Sequence, residues 1–216
     1  TDIKKSLYFY KKSLAISPNF IPSCFNLAIL HFNQRKYSQA IYFLKQALKG
    51  NKHLDRIYYY LAISYKKLHQ YSKALSMINK GIKLSSDNPF YHFEQGRIYF
   101  KMKKSKMAIQ SYNKAIDLKS DSPQFYFHLG IVFFQANKLT VAIRLFSKAI
   151  QIDDDYDLPH YALALVLEKI EKYKLALKEY EKVLEVSDSS LLRKKAEKRI
   201  TAIKKRLAKT KKNQKQ

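Results

Sequence analysis

Residues 123–156 read PQFYFHLGIVFFQANKLTVAIRLFSKAIQIDDDY, and their spacing of small and large side chains recurs along the chain. Ala142 belongs to a series, Ser6, Ala40, Ala74, Ala108, Ala142 and Ala176, in which neighbours are 34 residues apart. Twelve positions before the alanines stand Ala28, Ala62, Gly96, Gly130 and Ala164. Four positions after each member stand Tyr10, Leu44, Ile78, Tyr112, Phe146 and Tyr180. A fixed period of this length predicts stacked supersecondary units rather than a globule. Such arrays present long concave surfaces, which suit other macromolecules.

Each unit reads as two helices and a turn. Asn88 before Pro89, and Ser122 before Pro123, have the cap-then-proline order of a helix start. The second helix follows a polar turn, with Ser38, Ser72 and Thr140 expected at its N-cap. Inside the helices apolar residues recur at three and four, as in Ile109, Tyr112, Ala115 and Ile116. Short side chains let the two helices of a unit cross closely. A bulky residue at Ala108 would overpack that crossing by about 1–3 kcal/mol.

These residues carry a resemblance to the tetratricopeptide repeat (TPR) family. The family pattern has a large residue at 4, Leu at 7, small at 8, aromatic at 11, Ala at 20, aromatic at 24, Ala at 27 and Pro at 32. The unit from Pro123 matches it with Tyr126, Leu129, Gly130, Phe133, Ala142, Phe146 and Ala149, and departs with Asp154 at position 32. Gln95 replaces the Leu of position 7 in the unit from Pro89, and only Pro18 keeps the position-32 proline. The resemblance implies an all-α, right-handed α-solenoid of helix-turn-helix TPR units with a C-terminal capping helix. Residues 1–20 form a half unit with its second helix only. Five units follow over 21–190: 21–54, 55–88, 89–122, 123–156 and 157–190. A basic capping helix spans 191–209, and 210–216 are expected to be disordered. On the cap, Leu192, Ala196, Ile200, Ile203 and Leu207 share one face, while Lys194, Glu197 and Lys198 fill the slots of positions 4, 7 and 8.

The resemblance also places positions 2, 5, 6, 9, 12 and 13 of each first helix on the concave face. Position 5 is aromatic throughout: Phe25, Tyr59, Phe93, Phe127 and Tyr161. Asn26 and His128 stand at 6, and Ile29, Ile63, Arg97 and Ile131 at 9; Phe100 and Phe134 stand at 12. These residues form the expected partner-binding groove, a protein–protein scaffold or adaptor site for an apolar peptide or helix. The same rings would equally serve as packing between helices. The carboxylate clamp of chaperone-binding members needs Lys at 5 and Asn at 9, and neither occurs here.

Charge supplies the alternative reading. The chain carries 42 Lys+Arg against 17 Asp+Glu, a net charge of +25. Residues 1–86 hold 15 basic and 2 acidic residues, 87–188 hold 15 and 14, and 189–216 hold 12 and 1. Arg193, Lys194, Lys195, Lys198, Arg199, Lys204, Lys205 and Arg206 crowd the tail. A module of this kind could dock on nucleic acid or an anionic membrane through its Lys-rich ends. Seven of the basic residues are Arg and the rest Lys, which reads more as a solvated surface than as a phosphate-binding one.

Catalysis has no constellation to rest on. His31, His53, His69, His92, His128 and His160 are scattered over all five units. The acidic turn of Asp153, Asp154, Asp155 and Asp157 lacks the Gly and closing Glu of a calcium loop. A non-enzymatic protein is expected, with no cofactor and no metal. Cys24 is the only cysteine, so no internal disulfide can form. There is no bilayer-spanning apolar run and no signal peptide, which favours a cytoplasmic setting. The start at Thr1, within a repeat, leaves room for a missing upstream segment that anchors or exports the chain. The stripe of Ile3, Leu7, Tyr10 and Leu14 lacks its partner helix, so self-association through this open edge is also expected.

Overall fold

A computed structural model describes residues 2–18 and 20–213, the side chains of 2–4, 6, 7, 11 and 210–213 apart. Among the described residues every regular element is a helix: α1 (Asp2–Ile16), α2 (Ile21–Asn33), α3 (Tyr37–Gly50), α4 (Asp55–Lys67), α5 (Tyr71–Leu84), α6 (Pro89–Lys101), α7 (Ser105–Leu118), α8 (Pro123–Gln135), α9 (Leu139–Ile152), α10 (Asp157–Lys169), α11 (Tyr173–Val186) and α12 (Ser190–Asn213). The chain divides into two compact units, Thr1–Leu118 and Lys119–Gln216. In each, consecutive helices pack as pairs. The first helix of a repeat (helix A) starts at Ile21, Asp55, Pro89, Pro123 or Asp157, and helix B follows.

Small residues make the pairing possible. Ala40, Ala74, Ala108, Ala142 and Ala176 are wholly buried, and so are Tyr112, Phe146 and Tyr180 four positions on. Each of these rings lies where helix A passes. A Cβ added at Gly96 would stand 2.6 Å from the Tyr112 ring, and one at Gly130 would stand 2.5 Å from Phe146. The glycines at position 8 are therefore seats for the rings at position 24. Burying one such ring stabilises by roughly 1.5–3 kcal/mol.

Five identical turns join helix A to helix B. Arg35, His69, Lys103, Asn137 and Glu171 all have φ between 56° and 61°, at position 15 of their repeats. In each turn the next residue's N–H reaches back across six residues, as in Lys36 to His31 O (2.8 Å) and Gln70 to Tyr65 O (2.9 Å). This is a Schellman closure built without glycine. It shifts the expected N-caps. Helix B is preceded by Lys36, Gln70 and Lys138, none with a side-chain cap, while Ser38, Ser72 and Thr140 lie one residue inside the helix. Asn88 does cap α6, its Oδ1 accepting from Phe90 N at 3.1 Å. Ser122 sits at the N-cap of α8 without a side-chain bond.

Position 4 holds the repeats together in a way its packing role does not suggest. Tyr58 Oη donates to Lys52 O (3.1 Å), His92 Nε2 to Ser86 O (2.8 Å) and His160 Nε2 to Asp154 O (2.9 Å). Each acceptor is position 32 of the preceding repeat. A loop carbonyl two residues past the end of helix B is thus satisfied from the next helix A.

At the N-terminal edge Leu14 packs on the core of the first unit, and Tyr10 is half-buried. Tyr8, Phe9 and Ile16 are exposed. Ile3 and Leu7 lie outside the described side chains. At the other end α12 buries Ala196, Ile200 and Ile203 and exposes Lys194, Glu197 and Lys198. It occupies the place of a sixth helix A. The face toward the preceding repeat is kept, and the face that would receive a helix B is polar. Residues 210–213, expected to be disordered, continue this helix to Asn213; 214–216 lie outside the described residues.

Candidate partner-binding face

In the first unit α2, α4 and α6 lie side by side, joined by rings. Phe25 and Phe32 each meet Tyr60 edge-on, with centroids at 5.7 and 5.4 Å. Tyr59 stacks on Tyr91 at 5.2 Å, and Tyr91 Oη donates to Asp55 Oδ2 at 2.9 Å. The Arg56 guanidinium lies 5.6 Å over the Phe25 ring. Arg56, Tyr59, Tyr60, Phe90 and Tyr91 line a shallow pocket of about 360 Å³. Phe25, Tyr59 and Tyr60 are half-buried and Phe90 is exposed, so part of each residue lies at the surface. Burial, with the nearby Glu94 carboxylate adding to it, pushes the Tyr59 phenol up to about 12.

Deeper on the same face lies a cluster of charge. Lys66 Nζ is ion-paired with Glu94 Oε1, and Arg97 Nη1 with Glu94 Oε2 at 3.2 Å. Glu94 is 1% exposed. Burial pulls the Lys66 ammonium down to about 8, against the pull of Glu94. Arg97 lies 5.7 Å over the Phe93 ring, with 37% of its side chain exposed. The departure at Gln95 is also accounted for. Its Nε2 donates to Asn79 Oδ1 (2.8 Å), and its Oε1 accepts from Ser111 Oγ (2.7 Å).

The structure separates the expected groove residues by burial. Phe93 and Phe127 are 7% and 8% exposed, packed on Tyr112 and Phe146 at 5.7 and 6.0 Å. These two rings belong to the core. Ile29, Ile63 and Phe100 are half-buried and Asn26 is exposed. In the second unit His128, Ile131, Phe134 and Tyr161 are half-buried. His128 lies edge-on to Phe127 at 5.2 Å, Tyr161 meets Tyr180 at 5.6 Å, and the Lys169 ammonium lies 5.8 Å over Phe134. Arg56, Tyr60, Lys66, Phe90 and Glu94 were not singled out from the sequence. All stand at positions 2, 6 or 12, which the repeat register had already placed on this face.

The basic tail is partly committed to the fold. Arg193 Nη1 donates to Leu184 O and, at 3.5 Å, to Ser187 O, closing the end of α11. Arg199 pairs with Glu168 (3.2 Å), Arg206 with Glu171 (3.4 Å) and Lys204 with Glu181 (3.5 Å). Lys194, Lys195, Lys198 and Lys205 are exposed. The acidic turn is likewise engaged. Asp154 pairs with Lys182 at 2.7 Å, and Asp157 Oδ2 accepts from Ser187 Oγ at 2.5 Å. Among the described residues no group of three or more His, Cys, Asp or Glu could hold a metal ion. No helix among them is long and apolar enough to cross a membrane.

Paired helices, alternating small and large residues at their crossings and one turn repeated five times define a helical-repeat scaffold. Three family models match: the anaphase-promoting complex, cyclosome, subunit 3 model over residues 1–81, TPR repeat over 96–137 and tetratricopeptide repeat over 159–189. None is the model of an enzyme. Residues 96–137 and 159–189 are thus tetratricopeptide repeats, and such repeats serve as protein–protein interaction scaffolds.

Among solved structures it is similar to MamA residues 41 to the end, from Desulfovibrio magneticus RS-1, at 21% identity and TM-score 0.67, covering 76% of this chain and 94% of that one. YrrB, described as a TPR protein with an unusual peptide-binding site, is 19% identical with TM-score 0.62, covering 88% and 97%. Yeast Tom70 is 15% identical with TM-score 0.77, covering 93% of this chain and 43% of that one. At these identities the likeness concerns the fold alone. No curated protein matches the chain.

Proposed function

We propose that the face of α2, α4 and α6 holds an apolar segment of a partner protein, with Phe25, Tyr59, Tyr60 and Phe90 as its contact rings. The observation that supports this most is the pocket between α4 and α6, open to solvent and lined by aromatic residues. Aromatic anchors at such sites carry most of the binding energy in protein interfaces. Ile131, Phe134 and Tyr161 of the second unit offer an apolar stretch of the same kind. YrrB, which shares the fold, is described as having a peptide-binding site.

Peptides selected from a random library on the whole chain test the reading. The selected sequences should be rich in apolar residues, and Phe90→Ala should weaken them by about tenfold or more while the chain stays folded. Undiminished binding to this variant and to Tyr60→Ala would place recognition elsewhere.

A further inference from the structure

We infer that the segment held on this face is acidic, with a partner carboxylate on the Arg97 guanidinium and Arg56 as a second contact. The inference rests on the groove reading above and adds the chemistry of the partner. Helices α2, α4 and α6 contain two acidic residues, and both are used internally. Asp55 accepts from Tyr91, and Glu94 is buried between Lys66 and Arg97. Against them stand Arg56, Lys66, Lys67, Arg97 and Lys101.

One lysine already balances Glu94. The positive charge of Arg97 is therefore in excess, on the member of the cluster that reaches solvent. Both arginines lie over rings, Arg97 on Phe93 and Arg56 on Phe25. A guanidinium held in this way is preorganised for a carboxylate, which it can grip through two N–H groups at once. A basic partner would have to bring like charge onto a partly desolvated cation, which is unfavourable. The second unit does not share the bias: α8 has no Asp, Glu, Lys or Arg, and α10 has Asp157 and Glu168 against Lys169. The acidic preference is thus a property of the first unit's face.

Three short fluorescein-labelled peptides, alternating Leu or Phe with Glu, Gln or Lys, supply the probes for fluorescence anisotropy on the whole chain. The Glu peptide should bind at least about tenfold more tightly than the Gln peptide, and the Lys peptide more weakly than either. Arg97→Gln and Arg56→Gln should each weaken the Glu peptide by about tenfold and leave the Gln peptide unchanged. Arg97→Gln should stay folded and lose less melting temperature than Lys66→Met, because Lys66 still pairs with Glu94 and Arg97 is the more exposed partner. Lys83→Gln, on the exposed side of α5, should cost less than about twofold, since a distant exposed charge is screened.

Equal affinity for the Glu and Gln peptides would overturn the acidic preference and leave the groove standing. A loss from Lys83→Gln as large as that from Arg97→Gln would overturn it too, because the attraction would then be a diffuse field. Failure of all three peptides to bind would overturn both readings.

Discussion

Lys66 and Glu168 hold the same position, 12, in repeats three periods apart, and each meets charge on the second helix along. Lys66 meets Glu94 and Arg97 of α6, and Glu168 meets Arg199 of α12. Arg97 and Arg199 are themselves three periods apart, both at position 9. In the first unit the pair is sealed, with Lys66 7% and Glu94 1% exposed. In the second it is open, with 48% of the Arg199 side chain in solvent. One seam of the repeat thus carries opposite polarity and opposite burial. Burial makes a pair costly to break without making it a net stabiliser. Lys66 and Glu94 accordingly fix how α4 sits against α6, whereas Arg199 only tethers the cap.

The sharpest break of this comparison is Lys66→Met against Arg199→Gln. The first leaves Glu94 buried with one partner fewer and should lower stability by about 3–5 kcal/mol. The second removes an exposed pair and should lower it by less than about 1 kcal/mol. Urea unfolding followed by helical circular dichroism measures both. Similar losses would mean that burial does not distinguish the two seams.

A contact that the two units share should respond alike in both. Gly96→Ala and Gly130→Ala drive a methyl into buried rings and should each destabilise by about 1–3 kcal/mol. Gly81, in helix B, has its nearest neighbours at 3.6 Å from an added Cβ. There Ala should stabilise by up to about 1 kcal/mol through helix propensity. Thermal melts give all three signs, and a neutral Gly96→Ala would show that the Tyr112 ring can shift.

The smallest expected effect lies with His160 in the second unit. Its Nδ1 faces Glu179 Oε2 at 2.7 Å and its Nε2 faces Asp154 O at 2.9 Å. Two acceptors call for two donors, which only the imidazolium supplies. Burial alone would lower its pKa, but the Glu179 carboxylate and the Asp154 carbonyl outweigh it, and the net shift is upward from 6.5. With the folded pKa raised, the contribution to stability is full below the unfolded value and is lost as pH rises through the folded one. The melting temperature should therefore decline on going from about pH 6 toward alkaline pH, and His160→Gln should flatten that slope. A slope that survives the substitution would assign it to another group.

The fold was legible because helix crossings impose size, and size shows in sequence. Gly96, Gly130 and the alanine series can be read without coordinates. Burial along helix A was harder to read, since a ring at position 5 satisfies either a core or a binding face. Phe93 and Phe127 lie in the core on Tyr112 and Phe146, whereas Tyr161, which meets Tyr180 in the same way, stays half-buried. The repeats of Phe25 and Tyr59 carry Leu44 and Ile78 at position 24 instead of a ring, and Phe25 and Tyr59 are half-buried. The Lys66–Glu94–Arg97 cluster joins two repeats, so its residues stand far apart along the chain. Only a reading of position 12 against positions 6 and 9 of the next unit would have joined them. The position-32 carbonyls were invisible for a different reason, because they are backbone.

The five left-handed turns bear on how freely this chain can vary. Arg35, His69, Lys103, Asn137 and Glu171 include two fixed cations, a histidine, an amide and a carboxylate, yet the backbone path is the same in every case. Main-chain hydrogen bonds alone define that bend. Position 15 can therefore change its charge without disturbing the architecture, and the rim of the array becomes a place where surface character drifts while geometry is conserved. Asn137 and, less so, His69 are residue types that tolerate this conformation; the others each carry a strain of about 1 kcal/mol. Glycine at Arg35, Lys103 and Glu171 would relieve it, so the array as it stands is short of the most stable sequence its own backbone would accept.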